Sequence, residues 1–271
     1  MLSLSGLFVR CGGIWTCCLF LCVLTSEAEG IVFPTTNSIH QSVRRGREFL
    51  SSMILPELDL LPEFRDAKVI WLYHDNYLAA RTLRSSHPEV ARRIEAALVR
   101  EGIRESGKIE IVFDEAKQPL PFRHYELKTV RQSGGFQLRT EVVTDRIMMG
   151  WEQYSDLLLL ACLAEVKEHP DKAHAHWDAA MLQWDGRGFN DQAAKSAHQY
   201  ATYKLALALL AHAKLGDVKI PPGLAGRLLR MQEASGGWIT DYDLDGAPKG
   251  FANVETSSLA ILGFDAYLRT R

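Results

Sequence analysis

The chain has 271 residues, 47% hydrophobic and 24% charged, with a formal net charge of -2. That length holds one large domain or two small ones and can bury a core of its own. A near-neutral balance without a Lys/Arg stripe excludes a nucleic-acid-binding surface, and the one dense basic cluster, Arg44, Arg45 and Arg47, reads as a solvated helix face.

At the start of the chain, Arg10 precedes an apolar run from Gly12 to Leu24, and Ser26-Glu27-Ala28 offers a small-x-small cleavage pattern. The run is too short to cross a bilayer comfortably, so residues 1–28 read as a secretory signal peptide. A retained short anchor and a misassigned start are the alternatives. The expected location is periplasmic or extracellular, with membrane attachment only through this segment if it is kept. Four of the five cysteines lie here, and Cys162 alone remains, in the apolar run LLLLACLAEV. Residues 31–271 therefore carry no internal disulfide and no cysteine zinc cluster.

Beyond the leader the pattern is mostly helical. Helices are predicted at 46–55, 75–83, 87–102, 151–168, 170–184, 197–216, 221–234 and 254–270. Pro88, Pro170 and Pro221 each stand at a predicted helix start, where a missing N–H does no harm. The helices from Asp75, Trp151, Ala197 and Val254 are rich in Leu and Ala with few charges; those from the three prolines are amphipathic. A helix apolar on all faces must be buried on all faces. The alternation predicts an inner layer of buried helices and an outer layer of amphipathic ones. Between 108 and 144 the period switches to two, with Ser133-Gly134-Gly135 as a turn, which predicts a small antiparallel β insertion. The expected fold is all-α: one α/α toroid, complete or incomplete, made of helical hairpins and carrying this insertion. With about eight helices the ring is short of closure, which leaves room for an oligomer.

Gln232, Gly236 and Trp238, spaced Q-x-x-x-G-x-W after the helix AGRLLRMQ, resemble the repeat of squalene cyclases and protein prenyltransferase β-subunits. NVETSSLAIL, residues 253–262, is similar to the inner helix that follows that repeat, and LQWDGRGFND before TYKLALALL is a degenerate echo. The alternation of helices is also like that of six-hairpin glycosidases. The resemblance covers roughly residues 150–271 and implies the toroid fold; it implies little about chemistry. The cyclases' Asp-x-Asp-Asp motif is absent, and the Asp, Cys and His zinc ligands of the prenyltransferases cannot be assembled.

In such a toroid the inner helices run parallel and open their N-termini at one end, a place suited to ligands. Four carboxylates fall there and are the candidates for an acid–base pair: Asp75, Glu152, Asp241 and Glu255. Around them the expected substrate-binding residues are Trp71, His74, Asn76, Trp151, Tyr154, Trp184, Asp185, Tyr200, Tyr203, Trp238, Tyr242 and Asn253. Aromatic rings stack on sugar faces and paired carboxylates cleave glycosidic bonds, so the expected activity is that of an exported glycoside hydrolase or polysaccharide lyase. The expected partner is a polysaccharide or oligosaccharide, with no cofactor and no metal. A non-catalytic toroid binding a glycan or protein is the alternative, and a terpenoid-type cyclase or transferase ranks below it. Each residue also has a plainer reading: Asn76 and Asn253 as helix caps, Trp238 as a plug between helices. Asp241-x-Asp243-x-Asp245-Gly246 matches half of a calcium loop, but Ala252 stands where its glutamate should be, so an exposed turn is the simpler account.

Overall fold

Proline marks helix starts at Pro88 and Pro170 but not at Pro221, which lies before a helix that begins at Leu224, and the helix expected from residue 46 begins at Thr36. The computed structural model describes residues 34–103, 108–115 and 120–271, so the leader lies outside the described residues. In chain order the first elements are α1 (Thr36–Ser52), β1 (Val69–Trp71), α2 (Leu78–Leu83), α3 (Pro88–Arg100), β2 (Arg123–Ser133), β3 (Phe136–Ile147) and α4 (Ser155–Glu165). There follow α5 (Pro170–Met181), α6 (Gln192–Ala197), β4 (Gln199–Ala201), α7 (Thr202–Leu215), α8 (Leu224–Arg230), β5 (Ile239–Asp243), β6 (Pro248–Ala252) and α9 (Val254–Leu268). Thr35 caps α1 by accepting the Ser38 N–H, and proline opens α3 and α5.

The apolar helices form the core. α2, α9, α7 and α4 pack side by side in that order, and each carries a second helix: α3 on α2, α1 on α9, α8 on α7 and α5 on α4. α7 is buried from Lys204 through Ala211, and α9 on nearly every face. The two approach closely at Gly263, where a Cβ would stand 2.6 Å from the Ala206 carbonyl oxygen. Gln232, Gly236 and Trp238 hold this assembly together. Gln232 accepts from Ser42 Oγ at 2.5 Å and donates to the carbonyls of Ser42 and Gly236, tying α1 to the segment after α8. Gly236, at φ 95°, lies against α1 so closely that a Cβ would be 2.5 Å from Arg45 O. Trp238 is fully buried and donates from its indole to Leu228 O at 2.9 Å.

The all-α expectation is corrected. Among the described residues the structure is about 50% helix and 20% strand, with two three-stranded sheets, and so is mixed α/β. The first sheet has the order β1-β3-β2. Its β2–β3 hairpin turns at Gly134 and Gly135, both at positive φ, as their sequence predicts. β1 joins it in parallel, Val69 beside Gln137, from far upstream. The segment 108–115 alternates but makes a 3₁₀ turn, Ile109–Phe113, with Glu110 buried like its apolar neighbours and accepting from Tyr73 Oη. The second sheet, β4-β5-β6, is antiparallel and wholly unexpected. Its β5–β6 hairpin contains the acidic run. Asp243 Oδ1 accepts the N–H groups of Asp245 and Ala247, at 3.0 and 2.8 Å, so this carboxylate closes a turn and the calcium-loop reading falls.

Candidate functional site

The functional candidate begins where α2 is extended backward. Before it the chain winds as a π-helix, Leu72–Tyr77, with His74, Asp75 and Asn76 all buried. A wider turn re-aims side chains and is frequent at functional sites. Asn76 fixes this segment: its Oδ1 accepts Leu61 N–H at 2.7 Å, and its Nδ2 donates to Leu61 O and Trp71 O at 3.0 and 2.8 Å. That clamp also sets the strand of chain holding Glu63, whose carbonyl accepts the Val254 N–H at 3.0 Å. Asn253 caps α9 through Thr256 N–H at 2.8 Å and so places Glu255 in the first turn, at the positive end of the helix.

These elements enclose a polar cleft of about 270 Å³. Four carboxylates line it: Glu63, Asp75, Glu141 and Glu255. His74 and Lys108 are its basic groups, and Trp71 and Asn253 complete the wall. Trp71 has Arg139 5.8 Å from its ring centroid.

Two of the carboxylates are pushed in opposite directions. Asp75 is only 2% exposed, and its Oδ2 has no hydrogen-bond partner. Burial, then the charges of Glu255 and Glu63, hold its pKa well above the ordinary 3.8. Its surroundings thus favour the acid form over the carboxylate. Glu141 is also raised by burial, but His74 beside it, Nε2 to Oε2 at 3.1 Å, and the charge of Lys108 outweigh this and leave it below its ordinary range. The His74–Glu141 contact is within ion-pair distance but lacks well-aligned hydrogen-bond geometry.

A second polar group, fully engaged, lies at the starts of α4 and α7. Lys204 is buried in α7, its ammonium paired with Asp191 and 3.4 Å from Asp156 Oδ1. Tyr203 donates to Asp156 Oδ2 at 3.0 Å. Its ring reaches the surface in part, but its hydroxyl is enclosed, and burial followed by the charges of Asp156 and Glu255 pushes its pKa well up.

The structure brings together Asp75, Glu255, Trp71, His74 and Asn253 of the sequence candidates. Asn76 is their clamp rather than a lining residue. The others stand elsewhere. Glu152 is exposed, and only its backbone is engaged, by Gln183. Asp241 sits in β5; burial raises its pKa in spite of Thr240, Gln199 and Lys204. Trp151 is core, edge-on to Phe122, and Trp184 packs edge-on to Phe189. Asp185 closes a turn through the N–H groups of Arg187 and Gly188 and accepts from Tyr200 Oη at 2.5 Å. Tyr242 is buried and donates to Arg187 O, and Trp238 is the plug already described. Tyr154 lines a neighbouring cavity. Glu63, Lys108 and Glu141 were not anticipated. Each comes from a different stretch of chain, and only the β2–β3 alternation marked the region of Glu141 at all.

Among the described residues no group of three or more His, Cys, Asp or Glu side chains is arranged to hold a metal ion. No protein-family model, curated protein or solved structure matches the chain.

Proposed function

We propose that the protein is an exported carbohydrate-active enzyme, a glycoside hydrolase or polysaccharide lyase, with Asp75 as its general acid. The observation that carries this reading is Asp75, buried with one unpartnered oxygen in the wall of a polar cleft shared with Glu255 and Glu63, its pKa held up by burial and by their charges. An acid of raised pKa next to a second carboxylate is what cleavage of a glycosidic bond needs: the acid protonates the leaving oxygen, and the carboxylate serves the sugar carbon or its water. Glu255 takes the second role, since it shares the cleft and helps raise Asp75. The paired His74 and Glu141 position substrate, and Trp71 offers a ring face. The dense polar wall speaks against a terpenoid substrate, which needs an apolar chamber.

The test is turnover across a panel of polysaccharides, with melting temperature measured alongside. Asp75→Asn and Glu255→Gln should each lower turnover of the same glycan by roughly 10²- to 10⁴-fold, while both variants keep the wild-type fold. Turnover unchanged in both would remove the assignment. A glycan that raises the melting temperature without being cleaved would leave the non-catalytic binder in its place.

A further inference from the structure

A second cavity of about 260 Å³ lies beside the Asp75 cleft, and Lys108 lines both. Its other charged walls are Arg123 and His124, from β2, and Asp156, from α4. Asp156 is already occupied, accepting from Tyr203 and lying 3.4 Å from the Lys204 ammonium. The cations are far less committed. Lys108 sits 5.0 Å from the centroid of the Tyr125 ring and acts on Glu141 through its charge alone. Arg123 meets Asp145 at 3.2 Å, but Asp145 is fully exposed and Arg123 partly so, and such a solvent-reached pair holds weakly. Tyr125 lines this cavity, and its hydroxyl is buried without a hydrogen-bond partner, within reach of the Glu141 and Glu110 charges. A buried hydroxyl is normally satisfied, and one that is not calls for an acceptor from outside. Two weakly held cations and one unpartnered hydroxyl donor form a set suited to an oxyanion, which accepts from all three together. Neutral sugar hydroxyls alone would leave the cations desolvated and unpaired.

We propose that this cavity is a subsite for an anionic substituent, a carboxylate or a sulfate ester, on the saccharide unit adjoining the one held at Asp75. Lys108 and Arg123 are its charge partners and Tyr125 its hydroxyl donor. The proposal rests on the glycan reading of the cleft and narrows the substrate to acidic glycans.

The experiment is calorimetric titration of the full chain with oligogalacturonate, a sulfated carrageenan oligosaccharide and a neutral xylo-oligosaccharide. Wild type should bind an anionic ligand more tightly than the neutral one, and added salt should erode the difference. Arg123→Gln should weaken anionic binding roughly tenfold and leave neutral binding unchanged, while Lys108→Gln, which also alters the Asp75 cleft, should weaken anionic binding more than neutral binding. Tyr125→Phe should weaken anionic binding too, while its melting temperature holds or rises, because the lost hydroxyl had no partner in the protein. Preference for oligogalacturonate assigns a carboxylate; preference for the carrageenan fragment assigns a sulfate. Equal affinity for neutral and anionic ligands, or equal losses for all three in Arg123→Gln, would overturn the subsite. The Asp75 reading would still stand if neutral glycan turnover fell in Asp75→Asn. Binding to none of the three would overturn both.

Discussion

Asp75 and Asp191 are both buried, 2% and 1% exposed, and both sit near a helix start. Their surroundings differ in every other respect. Asp191 Oδ1 accepts the Ala194 N–H at 3.0 Å; its Oδ2 accepts the Ser155 N–H and hydroxyl, each at 2.9 Å, and the Lys204 ammonium. Burial raises its pKa, but Lys204 and these N–H groups outweigh burial and leave it below 3.8. Asp75 has no cation against it, two carboxylates nearby and one oxygen unpartnered, so burial and repulsion act in the same direction. The lesson is that burial alone does not assign a carboxylate its role. Its partners do: saturated with donors it ties elements together, and starved of them it holds a proton ready to give.

The comparison breaks most visibly if Asp191 is removed. Asp191→Ala leaves Lys204 buried without its main partner and should cost about 3–5 kcal/mol in chemical denaturation. Adding Lys204→Met should recover a good part of that loss, because two apolar groups leave no charge stranded. Gly236→Ala comes next. It forces a Cβ onto the Arg45 carbonyl at positive φ and should cost about 1–3 kcal/mol by the same measurement, without touching the cleft.

The two aspartates also predict opposite pH slopes. Asp191 has a lowered folded-state pKa, so its contribution is present above the unfolded value of 3.8 and is lost as pH falls through the folded value. Asp75 has a raised one, so its contribution is present below 3.8 and is lost as pH rises toward the folded value. Stability measured against pH should therefore decline less on the rising side in Asp75→Asn than in wild type. An identical slope in the two proteins would mean that Asp75 is ionised in the fold. The smallest effect belongs to Glu152→Gln. Its side chain is exposed and away from the cleft, so stability should stay within about 0.5 kcal/mol of wild type and turnover should not change.

Local rules made part of this legible. Proline starts, leucine-rich faces and the Asn253 cap marked the helices, and the spacing of Gln232, Gly236 and Trp238 marked a structural plug. The β4-β5-β6 sheet stayed hidden because its strands are three to five residues long and interrupted by Asp and Gly, whose usual reading is turn. Ile109–Phe113 alternates like a strand because its one charged residue, Glu110, is buried against Tyr73 rather than facing water. Of the cleft, Asp75 and Glu255 were legible as residues at predicted helix starts. Glu63, Lys108 and Glu141 reach it from a loop, a 3₁₀ turn and a strand that are distant in sequence, and no local periodicity encodes that meeting. Among the aromatic candidates only Trp71 lines it, because large rings beside apolar helices serve the core first.

Burial and the neighbouring Glu255 and Glu63 carboxylates hold the Asp75 pKa up, whereas Lys204 and backbone donors hold that of Asp191 down. The direct measurement is the pH titration of the Asp75 side-chain carboxyl carbon by NMR in aspartate-labelled protein, assigned with Asp75→Asn. The expected signal remains in the protonated range well above pH 3.8 and titrates at lower pH in Glu255→Gln, once the neighbouring charge is gone. A signal that titrates at or below 3.8, unmoved by Glu255→Gln, would contradict the raised pKa and leave Asp75 a buried structural carboxylate like Asp191.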